Sequence, residues 1–350
     1  MSHELTTLSN SIHSLKNKVT FLSNPETYPE TTTVEVLETH MSWVFLTDRF
    51  VYKLKKPVCY DFLDFRTLNL RYIYCQEEIR INQALAANVY LGVVPIMLRN
   101  NVLQLEGEGE TIDWLVKMKR LPKEHFLHTA ILECTLRNER VKHAAEKLID
   151  FYLTSSAIKV DPHTFRQRMV KEIELNNREL LRKEFSLPTS LIVGITIDLL
   201  RFMADRSDLL TERIIDGRIV DGHGDLRPEH ICITPTPVII DRVEFNSNLR
   251  ILDIAEELSF LALECEMLGS TAGQLFFNVY KWKSHDKIPD ILISFYKAKR
   301  AFLRAKLSVH HVLEKKYRIN EQKWKNRCNA YLRVADFYCE KIKKAKCSLN

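Results

Sequence analysis

The 350-residue sequence predicts an α+β fold in two lobes, an antiparallel sheet toward the N-terminus and a mainly helical remainder. Three observations carry this reading. β-prone runs with tight joins crowd residues 33–118. Apolar residues at helical spacing dominate the C-terminal two thirds. An acid-bearing loop and a proline-punctuated hairpin that ends on a further acid interrupt those helices at 220–241. The length exceeds one small core, so the expected division is a lobe of 1–118 followed by a lobe of 119–350.

The chain opens with a helical pattern over 5–22 and the linker S-N-P-E-T-Y-P-E. T-V-E-V-L-E (33–38), W-V-F-L-T (43–47) and F-V-Y-K-L-K-K-P (50–57) follow with joins short enough for antiparallel pairing. Period-two alternation puts Val51, Lys53 and Lys55 on one face of the third run. D-F-L-D-F-R-T-L-N-L (61–70) leads into a helix over 72–86, marked by Ile73, Ile81 and Leu85. Runs at 93–98, 102–106 and 112–118 complete the sheet, with Asn100-Asn101 and G-E-G-E as turns. Beyond Pro122 the pattern turns helical at 141–154, 165–183 and 190–206, then at 271–282, 289–313 and 320–344.

The densest chemistry lies in V-D-G-H-G-D-L-R-P-E-H-I-C-I-T-P-T-P-V-I-I-D (220–241). Asp225 sits in a charged knot, His223 to His230, and Asp241 ends the second strand of the hairpin that follows. One acid on a loop and a second returned by a hairpin suit phosphoryl transfer. That chemistry needs one carboxylate to position an acceptor hydroxyl and another to hold metal on the phosphates.

These residues resemble the aminoglycoside-phosphotransferase-like family, whose fold is protein-kinase-like. The resemblance is closest to the phosphotransferase-like domain that some bacterial proteins carry fused to a P-loop ATPase domain. E-T-H-M-S-W-V-F-L, Y-K-L-K-K-P and L-D-F-R-T-L are its N-terminal marks, and D-G-H-G-D-L-R-P-E-H and I-I-D-R-V-E-F-N its C-terminal ones. No G-x-x-x-x-G-K-[ST] motif occurs in the chain. The resemblance implies a nucleoside triphosphate, ATP or GTP, held with Mg²⁺ or Mn²⁺ between the lobes, its γ-phosphoryl passing to a hydroxyl of a small molecule. It implies Asp225 as catalytic base and Asp241 as metal ligand, with His223 packed beneath the loop.

Other roles follow from the same resemblance. Arg227 stands where the D-L-K-P-E-N of protein kinases has a phosphate-contacting lysine, and His230 where the family has a metal-binding Asn. An imidazole there favours Mn²⁺ over the oxygen-seeking Mg²⁺; the alternative is a hydrogen bond to Asp225 or Asp241. Lys53 is expected on the nucleotide phosphates, with Lys55 as fallback, and Glu78 on the following helix as its partner, with Glu77 one position round. Lys55 and Lys56 otherwise read as a solvated strand end. No G-x-G-x-x-G joins the first two strands, so His40 and Ser42, with nearby backbone amides, read equally as a phosphate-covering turn or a plain turn, and backbone near Met118 would meet the base. Asp253 reads as a helix N-cap and Glu257 as an internal tether. Glu244 reads equally as a metal or substrate contact or a surface acid. Lys299, Arg300 and Arg304 lie toward the family's substrate side, though such a helical face is ordinarily solvated.

Composition sets the remaining bounds. A hydrophobic share of 45% and a charged share of 27% are ordinary for a globular chain. The eight cysteines are scattered without a C-x-x-C pair, which fits reduced thiols rather than a zinc site or disulfide framework. No apolar run spans a bilayer and the N-terminus lacks a signal pattern, so a cytoplasmic protein without a membrane role is expected. The net charge of +6 suits a nucleotide, but basic and aromatic residues do not cluster as a nucleic-acid partner requires. Two rivals remain: a protein kinase, lacking its D-F-G and A-P-E here, and a catalytically weak nucleotide-binding regulator.

Overall fold

The structure, a computed structural model, describes residues 14–60, 63–313 and 320–347. Positions 5–13 of the expected first helix, and Asp61 and Phe62, lie outside the described residues. The chain divides into two compact units. The first takes in the chain up to Glu133 together with Glu229–Leu249, and the second comprises Cys134–Pro228 and the chain from Arg250 onward.

In the first unit an antiparallel sheet runs in the order Glu35–Glu38, Ser42–Leu46, Phe50–Lys55, Glu110–Lys119, Tyr90–Arg99 and Val102–Leu105. Strand alternation gives the sheet two cores. Phe45, Tyr52, Leu54, Val94, Ile96 and Leu115 point to one face and pack with Leu22 of the helix Leu15–Ser23 and with Tyr28. Val116 and Met118 point to the other, against Cys75 and Ile79 of the helix Leu68–Ala86 and against Cys232 and Val238. The short hairpin pairs Ile231 with Ile239 and Cys232 with Val238. A bridge from Cys232 to Phe126 and the bond from Ile233 N–H to the His125 carbonyl tie it to this unit.

The helix Leu68–Ala86 starts where the Thr67 hydroxyl accepts the Leu70 N–H at 3.2 Å. Its buried face is Arg71, Cys75, Glu78, Ile79, Ile81, Asn82, Leu85 and Ala86, most of them three or four residues apart. A glutamate on that face must find a cation, because a lone buried carboxylate is too costly to keep charged.

The second unit is built on helices, with Ile219–Asp221 and Ile251–Asp253 paired as a two-stranded ribbon. Its central helix, Ile254–Met267, is buried on every side from Ile254 to Cys265. The Asp253 side chain caps it, accepting the Ala255 N–H at 2.8 Å, so the expected N-cap is present. Asp253 also takes Arg213 on both oxygens at 2.8 Å and the Tyr296 hydroxyl, leaving none of its charge unmatched. Among the described residues no helix is long and apolar enough to cross a membrane.

Candidate functional site

In the first unit Lys53 reaches between two acids. Its Nζ lies 2.9 Å from Glu78 Oε1 and 2.8 Å from Asp241 Oδ1. Tyr52 and Leu54 enter the opposite core, so alternation turns Lys53 toward the glutamate helix. Burial works against its charge, but Asp241, Glu78 and Glu244 together hold the ammonium well above the usual lysine range. Burial likewise pushes against an ionised Glu78, and Lys53 and Lys55 outweigh it, leaving that carboxyl below its ordinary value. Glu77 is turned away and pairs with Arg80 at 2.6 Å on the exposed side, so it is not the lysine's partner.

Lys55 is not a solvated lysine. It is fully buried, donates to the second Glu78 oxygen at 2.7 Å and to Glu244, and lies over the Phe65 ring. Glu244 is likewise not a surface acid: its side chain is buried against Lys55. Lys56, also expected in solvent, is buried and holds Glu38 at 2.5 Å and the Thr39 carbonyl at 2.5 Å. Each correction has the same cause. The end of this strand is enclosed rather than splayed into water, and a lysine enclosed there must carry its own acid.

Asp241 has a left-handed backbone, φ 64°, a conformation a non-glycine residue keeps only where neighbours enforce it. Those neighbours are present. Its N–H donates to the Tyr90 hydroxyl at 3.0 Å, and the next amide, of Arg242, donates to Asn82 Oδ1 at 2.9 Å. The Arg242 guanidinium in turn bonds the Ile81 carbonyl at 2.6 Å. The carboxylate so aimed is 44% exposed, against 1% for Glu78 and 7% for Glu244. His230 Nε2 stands 3.6 Å from Asp241 Oδ2, and the imidazole is nearly buried. Among the described residues no group of three or more His, Cys, Asp or Glu side chains is placed to hold a metal ion.

The turn between the first two strands is closed on itself. The Thr39 hydroxyl accepts the Ser42 N–H at 2.9 Å, and the Ser42 carbonyl accepts the Thr39 N–H at 2.8 Å. Ser42 is buried with its amide engaged, whereas His40 is exposed at the tip. Met118 lies inside a strand, opposite Val51 on one side and Tyr90 on the other. The chain leaves the sheet just after it, where the Arg120 N–H bonds the Arg49 carbonyl. A pocket of about 630 Å³ lies at that exit, lined by Asp48–Phe50 and Lys119–Glu124.

In the second unit Asp225 rides on a loop that Glu257 pins from below. Glu257 accepts the His223 N–H at 2.8 Å, the Gly224 N–H at 2.5 Å and the Tyr152 hydroxyl at 2.5 Å, which makes it the tether read from sequence. Burial nonetheless pushes its carboxyl above the ordinary value, the three donors opposing. Gly224 takes φ 88°, the left-handed turn that carries the chain from His223 to Asp225. His223 is buried, and its Nδ1 accepts the Asp225 N–H at 3.3 Å. Arg227 Nε lies 3.1 Å from Asp225 Oδ2. Lys299, Arg300 and Arg304 are not a solvated face. Lys299 holds Glu172 and Glu256 at 2.9 and 3.0 Å, Arg300 holds Glu256 at 2.8 Å and Arg304 holds Glu264 at 3.2 Å, while both arginines sense the Asp225 charge.

Sequence reasoning missed Tyr90, Asn82, Arg242 and the Lys55–Glu244 pair. Asn82 was findable, being four residues after Glu78 on the buried stripe. Tyr90 carried no local signal, since its hydroxyl meets an amide 151 residues away.

No protein-family profile matches the chain. Uncharacterized proteins of Mycobacterium bovis and Mycobacterium tuberculosis are 30% identical over 278 residues, 78% of this chain and 54% of theirs. The chain thus spans about half the length of the curated relatives it matches. Among solved structures, the GDP complex of wild-type aminoglycoside 2'-phosphotransferase-IIIa aligns with a TM-score of 0.53 at 15% identity, over 91% of this chain and 97% of that one. A choline/ethanolamine kinase family protein from Mesorhizobium loti aligns with a TM-score of 0.50 at 11% identity, over 95% and 99%.

Proposed function

We propose that the chain, which shares its fold with an aminoglycoside phosphotransferase and a choline/ethanolamine kinase family protein, is a small-molecule kinase of the aminoglycoside-phosphotransferase-like group. It moves the γ-phosphoryl of ATP or GTP to a hydroxyl of a small molecule. The observation that carries this reading is Lys53, held by Glu78 on one side and by the exposed, backbone-locked Asp241 on the other.

On this reading Lys53, fixed by Glu78, takes the α- and β-phosphates, giving up Asp241 as it does so. His40 and Ser42 belong to the covering turn, and Met118 marks where the base meets the sheet's exit. Asp241 and His230 are the residues that would hold a divalent cation, and the charge count supports it. Two lysines face three carboxylates, Glu78, Asp241 and Glu244, and Asp241 is the most exposed of the three. One carboxylate and one imidazole suffice where phosphate and water complete the shell. Such a cation, Mg²⁺ or Mn²⁺, would supply charge neutralisation on the phosphates. Asp225 is the base that orients the acceptor hydroxyl, with Arg227 beside it on the same loop to steady phosphate charge.

The test is Asp225→Asn, assayed for transfer against a panel of hydroxylated metabolites and for nucleotide affinity by calorimetry. Transfer should be abolished and nucleotide affinity nearly kept, because the base touches the hydroxyl rather than the nucleotide. Full turnover by the variant on a substrate the wild type phosphorylates would refute the mechanism. A catalytically weak nucleotide-binding regulator is the second reading, favoured by the self-closed turn at Thr39–Ser42. Tight nucleotide binding with no transfer across the panel would select it.

A further inference from the structure

Glu78 receives two lysines from one strand, one on each oxygen. A Lys–Glu pair on a strand and a helix requires only one. Lys55 has no exposed surface, and a buried ammonium is costly unless its partners are well placed. Its partners are the second oxygen of Glu78 at 2.7 Å and Glu244, both buried themselves. Burial opposes its charge, yet Glu244 and Glu78 hold the ammonium above the ordinary lysine range.

We propose that Lys55 is a positioning residue for nucleotide binding, a role that rests on the kinase reading above. Clamped to Glu244, it fixes Glu78 from the far oxygen, so that Oε1 stays in place for Lys53 when Lys53 exchanges Asp241 for phosphate. Without Lys55 a single ammonium would face Glu78, Asp241 and Glu244 alone. It would then be drawn toward the buried acids and away from the phosphates. Glu244 completes the device by giving Lys55 an acid of its own, so that Lys55 does not compete with Lys53 for Asp241.

The competing account is that Lys55 merely neutralises Glu244. A double variant separates the two. Lys55→Met alone leaves two buried carboxylates short of a cation and is expected to unfold easily. Lys55→Met with Glu244→Gln removes one charge of each sign and should restore thermal stability close to wild type. ATP and GTP affinities are then measured by calorimetry with Mn²⁺ and with Mg²⁺, alongside Lys53→Met and the conservative Lys55→Arg. The expected result is a double variant that is stable yet binds nucleotide at least tenfold more weakly than wild type, with Lys55→Arg recovering most of the loss. A stable double variant with wild-type nucleotide affinity would overturn the positioning role while leaving the kinase reading intact. Wild-type protein that binds neither nucleotide would overturn both.

Discussion

Replacing Gly222 with alanine probes the loop that carries Asp225, and its cost can be worked from the structure. Gly222 has no positive φ, so its backbone tolerates a side chain. The space does not. A Cβ there would stand 3.2 Å from the Glu257 carboxyl carbon and closer still to Oε2, inside the distance real Cβ atoms keep. Oε2 accepts both the Tyr152 hydroxyl and the His223 N–H, and Glu257 sits on a helix with no route to solvent. Hydrogen bonds to a carboxylate contribute about 1.5–3 kcal/mol each. Losing between one and two of them gives about 3 kcal/mol, or roughly 6–12 °C in Tm at about 2–4 °C per kcal/mol for a chain of this order. Because Asp225 follows three residues later, a displacement on the order of 1 Å should also slow transfer about 100-fold. Gly194→Ala is the control: nothing lies within 4 Å of its Cβ, it is inside the helix Thr189–Asp205, and it should stabilise by about 0.5–1 kcal/mol. Chemical denaturation reads both. If Gly222→Ala unfolded at the same denaturant concentration as Gly194→Ala, the Glu257 tether would not be what holds this loop.

Three further outcomes are expected. Glu256, with Lys299 and Arg300 against it, has its carboxyl held at about 2 despite burial, below the ordinary 4.5. A depressed carboxyl stabilises fully above 4.5 and loses that contribution as pH falls from 4.5 to about 2, on the order of 3 kcal/mol at 1.36 kcal/mol per pH unit. The stability gap between wild type and Glu256→Gln should therefore shrink across that window, and a constant gap in urea titrations from pH 5 to pH 2.5 would contradict it. His230→Asn should shift the preferred cation from Mn²⁺ toward Mg²⁺ in a transfer assay; an unchanged metal profile would make the imidazole a packing group. Lys56→Ala removes the bonds to Glu38 and the Thr39 carbonyl, so the turn at His40 should gain amide exchange while the Lys53–Glu78 pair keeps its lysine resonance. Unchanged exchange in residues 39–42 would show that the turn closes without Lys56.

Much of this was legible because it is periodic. The three N-terminal strands, the helix expected over 72–86 and found one turn longer as Leu68–Ala86, and the hairpin after Asp225 each announce themselves through alternation, helical spacing or prolines. Glu78 could be preferred over Glu77 because a helix repeats its buried face every three or four residues, and Ile81 and Leu85 are its apolar companions there. Lys53 and Lys55 could not be ranked in the same way. Alternation places both on one face, and what separates them is Glu244, 189 residues further on. The burial of Lys55, Lys56, Lys299 and Arg300 went unread for a related reason. A lysine- or arginine-rich run looks solvated until the acids that enclose it, Glu244, Glu38, Glu172 and Glu256, are brought up by the fold. The helix Ser207–Ile215 was also missed, because it is one short run directly following another helix.

The sequence distance between Lys53 and Asp241 also has a consequence for synthesis. The two are 188 residues apart, so at about 5–20 residues per second the ribosome delivers Asp241 roughly 10–40 s after Lys53. Lys53, Lys55 and Glu78 emerge early, two cations to one anion. Asp241 and Glu244 come late and turn that surplus of one positive charge into a surplus of one negative. The first unit therefore cannot be produced in working form as a contiguous N-terminal fragment: a chain stopped at Glu133 would hold its lysines without the acids that complete them. Any truncation series or split reporter built on this protein should keep Glu229–Leu249 with the N-terminal segment.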